Sequence, residues 1–494
     1  MRMIKNQTSR KALTRRQFLK CGLTAGLSSS LWLTGCRKQK QQIKRPNVLL
    51  IVLDTARADR FSFAGYHRHT SPRIDALALE AAIYKHAYAP AFWTLPSHAS
   101  LFTGLYPSQA GATSETNHLP AFNATLAEVL KKVGYDTAAF ICNAWVSKER
   151  GFAKGFDQFY EMWRPENFSQ APKRPSQAEW AAVKMALDWL NKRKTAKNPF
   201  FLFINFNSPH MPYFPPDPFQ ADFIKAEYQT EEINRLSKIN GMWARLAGEL
   251  KLSERDLRIM ADLYDGEIAF ADYCTGKVTD QLKTLGILDN TLVIITSDHG
   301  ENIGEHGLID HLLSMYETTL HIPLVIRYPK RIQAGAAFDN LVSLVDIVPT
   351  ILDLCDIRNE HKTLKFAGIT LTGNDQPDRT FITAENERPI NGIELMKSRF
   401  PNFDTGKIDY RMRALRTNQH KLIWNIDDGK ELYDLQADPR ELNNLADELA
   451  EITDKLHGTL VKWMQQTPST PDVSLLEGQD AESLKILRSL GYLK

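Results

Sequence analysis

Acidic and histidine side chains stand where two apolar runs of the sequence end. Asp54 follows the run 47–53. Asp298 and His299 follow the run 291–296. Each run is typical of a strand buried in a parallel sheet, and ligands of such sheets bind outside the carboxyl ends of the strands. Carboxylates and an imidazole are ligands for one divalent metal ion, and the imidazole favours Zn or Mn over Ca, which prefers oxygen ligands alone. We predict a metal site here, although an aspartate at a strand end is also a common turn residue.

Thr94 could supply a nucleophilic hydroxyl to that site. We predict a helix that begins near Pro96, so the hydroxyl lies beside unpaired backbone N–H groups and the positive end of the helix dipole. A metal ion bound to the oxygen would lower its pKa and make it a nucleophile at neutral pH. The residues alone leave a second interpretation open, in which Thr94 only caps the helix.

Apolar runs and amphipathic stretches alternate along most of the chain. The buried-strand pattern recurs in five segments, 47–54, 136–143, 200–207, 291–298 and 323–328. Helical patterns with capping residues cover 71–82, 125–133 and 253–285. Strands that alternate with helices predict an α/β fold, with a doubly wound, largely parallel central sheet flanked by helices.

The C-terminal part of the chain has a different pattern. Residues 412–424 alternate like a strand, 431–435 form a short second strand, and 445–466 have a helical pattern. We predict a smaller C-terminal α+β subdomain at 371–494, packed on a catalytic domain at 46–370.

The basic residues are concentrated at the N-terminus. The first 45 residues hold twelve Lys and Arg and no acid, so the rest of the chain has a net charge of about −9 although the whole sequence has +3. A chain of that sign offers no electrostatic argument for nucleic-acid binding, and we expect no nucleic-acid partner.

The same N-terminal stretch resembles an export address. Residues 14–20 resemble a twin-arginine signal, and 33–36 resemble a lipoprotein cleavage box with Cys36 as the lipidated residue. We predict a twin-arginine-type lipoprotein signal peptide at 1–35 and a lipidated tether at 36–45, which would anchor the exported protein at the periplasmic face of the cell envelope. A transmembrane anchor is the alternative, but the apolar run falls short of the roughly 20 residues that a span needs.

The segment 92–104 around Thr94 resembles the sulfatase signature, C/S-x-P-x-R followed by A-S-L-x-T-G. Further ordered matches to the family cover most of the chain from Pro46, namely 70–75, 103–107, 125–128, 134–137, 207–213, 297–307 and 431–445. The resemblance implies the fold of the sulfatase branch of the alkaline phosphatase superfamily. It also implies that His210, in a segment similar to D-P-H-x-P-Y, is the substrate-side histidine.

Several positions depart from the family pattern. Sulfatases carry at the position of Thr94 a Cys or Ser that is oxidised to formylglycine, and threonine is not known to be converted in that way. At three further positions this chain has Thr55, His98 and His299 where the family has a second Asp, an Arg and an Asn. Asn143 falls near the place of a Lys and a His of the family that hold the sulfate, and His311 falls near the place of a later family Lys. Together they resemble relatives that transfer or hydrolyse phospho groups through a metal-bound threonine, such as phosphoglycerol and phosphoethanolamine transferases.

The residues and the resemblance together predict a two-step displacement in which Thr94 attacks a phosphoryl or similar centre. We expect His210 to protonate the leaving oxygen, and His98 to orient Thr94 or to contact the substrate. By role, the predicted residues are Thr94, His210 and His98 as catalytic, Asp54, Thr94, Asp298 and His299 as metal-binding, and Asn143 and His311 as substrate-binding.

The predicted function is therefore a metal-dependent hydrolase or transferase of phospho- or sulfo-esters, with phosphoester or phosphonate chemistry favoured and glycans among the candidate substrates. The first alternative is a sulfuric ester hydrolase that acts on sulfated glycans or aryl sulfates without formylglycine. An alternative of another class is an inactive glycan-binding surface lipoprotein. The predicted metal ligands argue against it, because a pure binding module has no need of them. The sequence leaves the oligomeric state open.

Overall fold

The computed structural model describes residues 45–164, 174–239, 241–357, 365–372, 379–426 and 428–467. From Arg45 onward the chain forms one compact unit. The predicted signal peptide, Cys36 and nearly all of the predicted tether lie outside the described residues. None of the helices in the described ranges combines the length and the apolar composition that a bilayer span requires.

The strands are β1 Asn47–Leu53, β2 Ala82–Tyr88, β3 Asp136–Ile141, β4 Gln158–Glu161, β5 Phe200–Phe206, β6 Thr291–Thr296, β7 Asn302–Ile303, β8 Ile309–Asp310, β9 His321–Ile322, β10 Leu324–Arg327, β11 Ala336–Ser343, β12 Ile382–Asn386, β13 Met412–Arg416, β14 His420–Asn425 and β15 Gly429–Asp434. The α-helices are α1 Pro72–Ala78, α2 Thr94–Thr103, α3 Pro107–Ala110, α4 Leu126–Lys132, α5 Pro175–Lys192, α6 Phe219–Phe223, α7 Thr230–Leu236, α8 Met242–Leu246, α9 Glu254–Thr284, α10 Glu317–Leu320, α11 Ile347–Leu354, α12 Ile390–Arg399 and α13 Ala450–Gln466.

The central sheet has nine strands within the described ranges, in the order β11-β2-β10-β6-β1-β5-β3-β4, with β9 paired to β2. β1 lies between β5 and β6 and runs parallel to both, and β3 runs parallel to β5. β10 runs antiparallel to β6 and to β2. The predicted doubly wound, largely parallel sheet is confirmed, whereas the strand expected at 323–328 is one of its antiparallel members.

β1 is buried along its whole length because both faces of the central sheet are covered. All seven of its residues are buried. Val48, Leu50 and Val52 face one core, which also contains residues of α2 and α11. Their chain neighbours 49, 51 and 53 face a second core, built with α5 and α9. Side chains alternate between the faces of a strand, so a strand that is covered on both sides must be apolar throughout.

Two helix boundaries differ from the predictions. The helix expected over 71–82 ends at Ala78, and Ala82 already begins β2. β2 lies between β10 and β11, so pairing on both sides outweighs the helical pattern of the isolated segment. The helix expected near Pro96 begins two residues earlier, at Thr94.

The C-terminal region contains a second, antiparallel sheet in the order β12-β13-β14-β15. The alternating segment 412–424 is a hairpin of β13 and β14 rather than one strand. Helix α13 packs on this sheet through Leu456 and Leu460, which contact the buried leucines of β13, β14 and β15. The small α+β region is confirmed, and its boundary at residue 371 stays a prediction.

Candidate active site

The strands bring the predicted site residues to one edge of the central sheet. Asp54 follows β1, Asp298 and His299 follow β6, and Asn143 follows β3. These strands run parallel, so their carboxyl ends share that edge. β2 runs in the same direction, because it is antiparallel to β10 and β10 is antiparallel to β6. The segment after β2 therefore reaches the same edge, where Thr94 begins α2.

Asp54, Asp298 and His299 form a compact, fully buried group. One ligand atom from each lies within 4.8 Å of the others. Neither Oδ1 of Asp54 nor Oδ2 of Asp298 accepts a well-aligned hydrogen bond from the described residues. Buried oxygens of this kind are costly unless a partner compensates them. Two carboxylates and an imidazole with oxygens still to satisfy fit a divalent cation.

The carboxylates of Asp54 and Asp298 repel each other when both are ionised. Burial, together with the charge of nearby Asp298, raises the pKa of Asp54 well above its ordinary value. Burial also acts to raise the pKa of Asp298, but His299 and the contact with His98 outweigh it and lower that pKa to about 2. A cation between the two side chains would relieve this repulsion, because it lets both remain ionised.

The imidazole of His299 is oriented by the backbone. Its Nδ1 lies 3.0 Å from the carbonyl oxygen of Gly300, which can only accept a hydrogen bond. Nδ1 therefore carries the proton, and Nε2 presents its lone pair. Nε2 lies 3.3 Å from Oδ2 of Asp298 and 3.4 Å from Oγ1 of Thr94. A backbone contact of this type fixes the tautomer that a metal ligand needs.

Thr94 is the first residue of α2 and is fully buried. Its Oγ1 lies 3.4 Å from Nε2 of His299 and 3.4 Å from Nδ2 of Asn143. The same amide of Asn143 donates to Oδ2 of Asp54 at 2.7 Å. The N-cap of α2 is Trp93 rather than Thr94, so the structure does not support the interpretation in which Thr94 only caps this helix. Its hydroxyl instead points into the carboxylate and histidine group.

His98 lies one turn further along α2, inside the protein. Its Nδ1 donates to the carbonyl oxygen of Thr94 at 3.0 Å and lies 3.4 Å from Oδ2 of Asp298. The rings of Phe152 and Phe203 pack edge-on against the imidazole. His98 therefore ties the start of α2 to Asp298. Its two predicted roles, orienting Thr94 or contacting the substrate, stay predictions.

His210 and His311 complete the group. Their Nε2 atoms lie 3.3 Å apart, and the ring of His311 lies 4.4 Å from that of His299 between centroids. Nδ1 of His210 donates to the carbonyl oxygen of Met211. Burial lowers the pKa of His210 to about 4, and burial together with the neighbouring histidines lowers the pKa of His311 well below its ordinary value. The structure thus brings these eight predicted side chains into one buried cluster.

Three further residues support this cluster and were not predicted as site residues. The backbone N–H of Thr55 donates to Oδ1 of Asp298 at 3.2 Å, and its hydroxyl donates to Glu301 at 3.2 Å. Thr55 has a φ of 59°, a strained conformation for a β-branched residue that is found mainly at functional sites. Asn205 accepts a hydrogen bond from the backbone of Asn143 at 3.1 Å. The sequence did contain a signal for Asn205, because it is the one polar residue in the apolar run 200–206.

The comparisons with known proteins agree with this fold and this geometry. The sequence model of the family described as Sulfatase matches residues 46–357. The chain belongs to the sulfatase family. A second family model, described as N-sulphoglucosamine sulphohydrolase, C-terminal, matches residues 304–466 of this sulfatase-family protein.

Curated relatives and solved structures resemble the sulfatase-family protein over most of its length. Arylsulfatase K of Bos taurus is 28% identical over 450 residues, covering 83% of this chain and 80% of the relative. N-acetylglucosamine-6-O-sulfatase of Bacteroides thetaiotaomicron is 26% identical over 534 residues, covering 91% and 92%. The phosphonate monoester hydrolase of Agrobacterium radiobacter superimposes with a TM-score of 0.66 at 23% identity, covering 86% and 96%, a likeness that shows the fold alone.

The two curated relatives are named as sulfatases and the solved structure as a phosphonate monoester hydrolase. The present chain is an ester hydrolase of the sulfatase family. Enzymes of this superfamily use a divalent metal ion, and Asp54, Asp298 and His299 are the residues here that fit one.

Proposed function

We propose that this protein hydrolyses phospho- or sulfo-esters with Thr94 as the nucleophile, and that phosphoester or phosphonate chemistry is favoured. The observation that carries the proposal is the position of the Thr94 hydroxyl. It lies 3.4 Å from both His299 and Asn143 at the start of a helix, in the middle of the buried cluster. A helix N-terminus favours negative charge, and a threonine there is well placed to bear it.

Asp54, Asp298 and His299 would hold one divalent cation, with Zn or Mn favoured over Ca because of the imidazole. When bound, such a cation lowers the pKa of a nearby hydroxyl and withdraws charge from the ester oxygens. Thr55 helps to keep Asp298 in place, because its backbone N–H donates to that carboxylate while its hydroxyl donates to Glu301.

In the proposed reaction, Thr94 releases its hydroxyl proton to water, and its Oγ1 forms a bond to the phosphorus or sulfur atom. The bond to the leaving oxygen breaks, and His210 relays to this oxygen a proton that its Nε2 first takes up from water, because its Nδ1 proton is engaged with Met211. The amide of Asn143 and the ring of His311 are placed to donate to non-bridging oxygens. Water then attacks the Thr94 ester, which frees the phosphate, phosphate monoester, phosphonate or sulfate and restores the hydroxyl.

The experiment compares Thr94→Ala with the wild type on an aryl sulfate, a phosphate monoester, a phosphodiester and a phosphonate monoester. We expect Thr94→Ala to lose on the order of 10³-fold or more in kcat/KM on the preferred ester while it still binds the cation. Mass spectrometry of rapidly quenched wild-type protein should detect the phospho or sulfo group on the peptide that contains Thr94.

The matched control is Thr103→Ala at the other end of α2. The Thr103 hydroxyl donates to the carbonyl oxygen of Ala99 at 2.7 Å within the helix, so its loss should leave turnover close to wild type. Full activity of Thr94→Ala would end the nucleophile assignment.

A sulfuric ester hydrolase is the second candidate, and the names of the relatives favour it. Arylsulfatase K and N-acetylglucosamine-6-O-sulfatase both align over four fifths or more of their length. The same four substrates separate the candidates: highest kcat/KM on the aryl sulfate, with an unmodified Thr94, would favour sulfate over phospho chemistry.

A further inference from the structure

An apolar groove lies beside the candidate active site. It encloses about 490 Å³ of empty space, its open mouth included. Its walls come from the main sheet region, from α8 and from the segment around β12 and α12. The lining residues are Phe92, Trp93, Ser114, Trp145, Trp243, Leu312, Leu313, Asn386, Pro389, Asn391 and Gly392.

The groove is joined to the site through the chain itself. Trp93 directly precedes Thr94, and Leu312 directly follows His311. Trp145 is two residues from Asn143. The three predicted site segments therefore each turn one side chain toward the buried cluster and place a neighbouring one in the groove wall. The wall of the groove therefore lies one or two residues along the chain from three side chains of the buried cluster.

Aromatic side chains give the groove its shape. The rings of Trp93 and Trp145 meet edge to face, with centroids 5.2 Å apart and planes at 86°. The indole of Trp243 lies so close to Gly392 that an added Cβ there would come within 2.4 Å of it. Glycine is required at that position for the indole to reach the wall. Surfaces of this kind bind flat apolar groups through large contact area.

The polar residues in the wall have hydrogens already engaged within the protein. Ser114 donates its hydroxyl proton to the carbonyl oxygen of Arg388 at 2.6 Å. Asn386 accepts from Trp93 at 2.8 Å and donates to the carbonyl oxygen of Glu387 at 2.6 Å. Asn391 donates to the side chain of Asn117. None of the groove-lining residues that the structure describes carries a charge.

We propose that this groove binds an uncharged, aromatic or similarly apolar group of the substrate, carried on the leaving oxygen of the ester. The proposal rests on the proposed function, because it takes Thr94 as the point of attack. A sulfated or carboxylated sugar would bring charges and hydroxyls into the groove. The described lining has no opposite charge for those charges and few free hydrogens for those hydroxyls. An aryl group needs neither.

The test uses two aryl esters of the class that the protein hydrolyses best, with leaving phenols of matched acidity. One phenol is neutral and the other carries a carboxylate. We expect the neutral ester to have a kcat/KM about 10-fold or more above that of the charged ester, the size of discrimination typical of an apolar pocket. Matching the acidity removes the chemical difference between the leaving groups.

Leu313→Lys places a cation in the groove wall and should reverse or abolish the preference. Leu79→Lys is the control, because Leu79 is 77% exposed and lies outside both the groove and the site. It should retain the wild-type ratio. Equal kcat/KM for the two esters in the wild type, or an unchanged ratio in Leu313→Lys, would overturn the proposal.

A binding experiment tests the groove independently of the proposed function. Phenol and 4-hydroxybenzoate are titrated into the wild type and Leu313→Lys by calorimetry, which needs no turnover. Binding of phenol to the wild type, weakened in Leu313→Lys, supports the groove even if Thr94→Ala proves fully active. Phenol that fails to bind, or binds no better than 4-hydroxybenzoate, overturns it even if Thr94 is the nucleophile.

Discussion

Two clusters of buried acids lie near each other in this protein, and they are compensated in different ways. In the candidate active site, Asp54 and Asp298 each keep an oxygen without a well-aligned hydrogen bond. In the second cluster, beneath the loop that carries His210, all four oxygens of Glu179 and Glu267 accept or share one. The oxygens of the first cluster fit a cation, whereas those of the second find their partners within the protein.

The geometry of the second cluster calls for a proton instead of a cation. Ser208 has one hydroxyl hydrogen, yet its Oγ lies 2.9 Å from Glu179 and 2.6 Å from Glu267. One of these two contacts must therefore be made by a protonated carboxyl group. Burial raises the pKa of Glu179 to about 7, and burial with the charge of Glu179 raises that of Glu267 to about 8. A group of buried acids without basic partners thus indicates a metal site only where some carboxylate oxygens have no hydrogen-bond donor within the protein.

The largest expected effect comes from Asp54→Asn. The variant should lose on the order of 10³-fold in kcat/KM, because a cation that contributes several kcal/mol to the transition state would no longer be held. Without cation, the variant should be more stable than the wild type by about 1–3 kcal/mol, since an amide replaces one of two repelling carboxylates.

Thermal unfolding with and without added Zn²⁺ or Mn²⁺, after treatment with a chelator, checks this prediction. The cation should raise the unfolding temperature of the wild type and of Glu267→Gln, but not of Asp54→Asn. If the added cation also raised the unfolding temperature of Asp54→Asn, the assignment of the cation to the first cluster would be wrong.

A smaller effect is expected from Ser208→Ala. The change removes the hydroxyl that links Glu179 and Glu267, and leaves two buried oxygens without a partner. We expect the free energy of unfolding to fall by about 1–3 kcal/mol in chemical denaturation. Ser237→Ala is the control, because that hydroxyl donates to the carbonyl oxygen of Ile233 one turn earlier at the end of α7, and its loss should cost less than about 0.5 kcal/mol. Equal losses would mean that the link between the carboxyl groups contributes nothing.

The two clusters also differ in how far the sequence predicts them. Asp54, Asp298 and His299 end strands of a parallel sheet, so the rule for ligand sites in such sheets brings them together without coordinates. The second cluster joins α5, the loop after β5 and α9, and no local pattern shows that these meet. Glu179 and Glu267 look like ordinary polar positions on amphipathic helices, because periodicity reports which face is buried and not what it contacts.

The same limit applies to the fold. The continuous apolar runs of β1, β3, β5 and β6 identify the centre of the sheet correctly. β11 escaped prediction because Asp339 and Asn340 interrupt its apolar pattern, at a register shift between Phe338 and Leu341. The left-handed backbone of Thr55 is likewise invisible in sequence, because tertiary contacts around Asp298 impose it on a residue that disfavours it.

The smallest expected effect is a change in the pH dependence of stability in Glu267→Gln. The native protein keeps protons on Glu179 and Glu267 at pH values where the unfolded chain, with pKa values near 4.5, has released them. The native state therefore binds more protons than the unfolded state, and stability falls as pH rises between about 5 and 8. Each such proton contributes a slope of up to about 1.4 kcal/mol per pH unit.

Glu267→Gln removes one of these protons while its amide still donates to Ser208 and accepts from the backbone of Phe214. Its free energy of unfolding should fall less steeply than that of the wild type, so the variant gains relative stability toward pH 8. Glu305→Gln is the control with the opposite sign, because its contact with Arg57 outweighs burial and lowers the pKa of Glu305. Between pH 6 and 8 the wild type and Glu305→Gln should run parallel. Parallel curves for Glu267→Gln would mean that its carboxyl group is ionised in the native protein, and then both clusters, not one, would call for a cation.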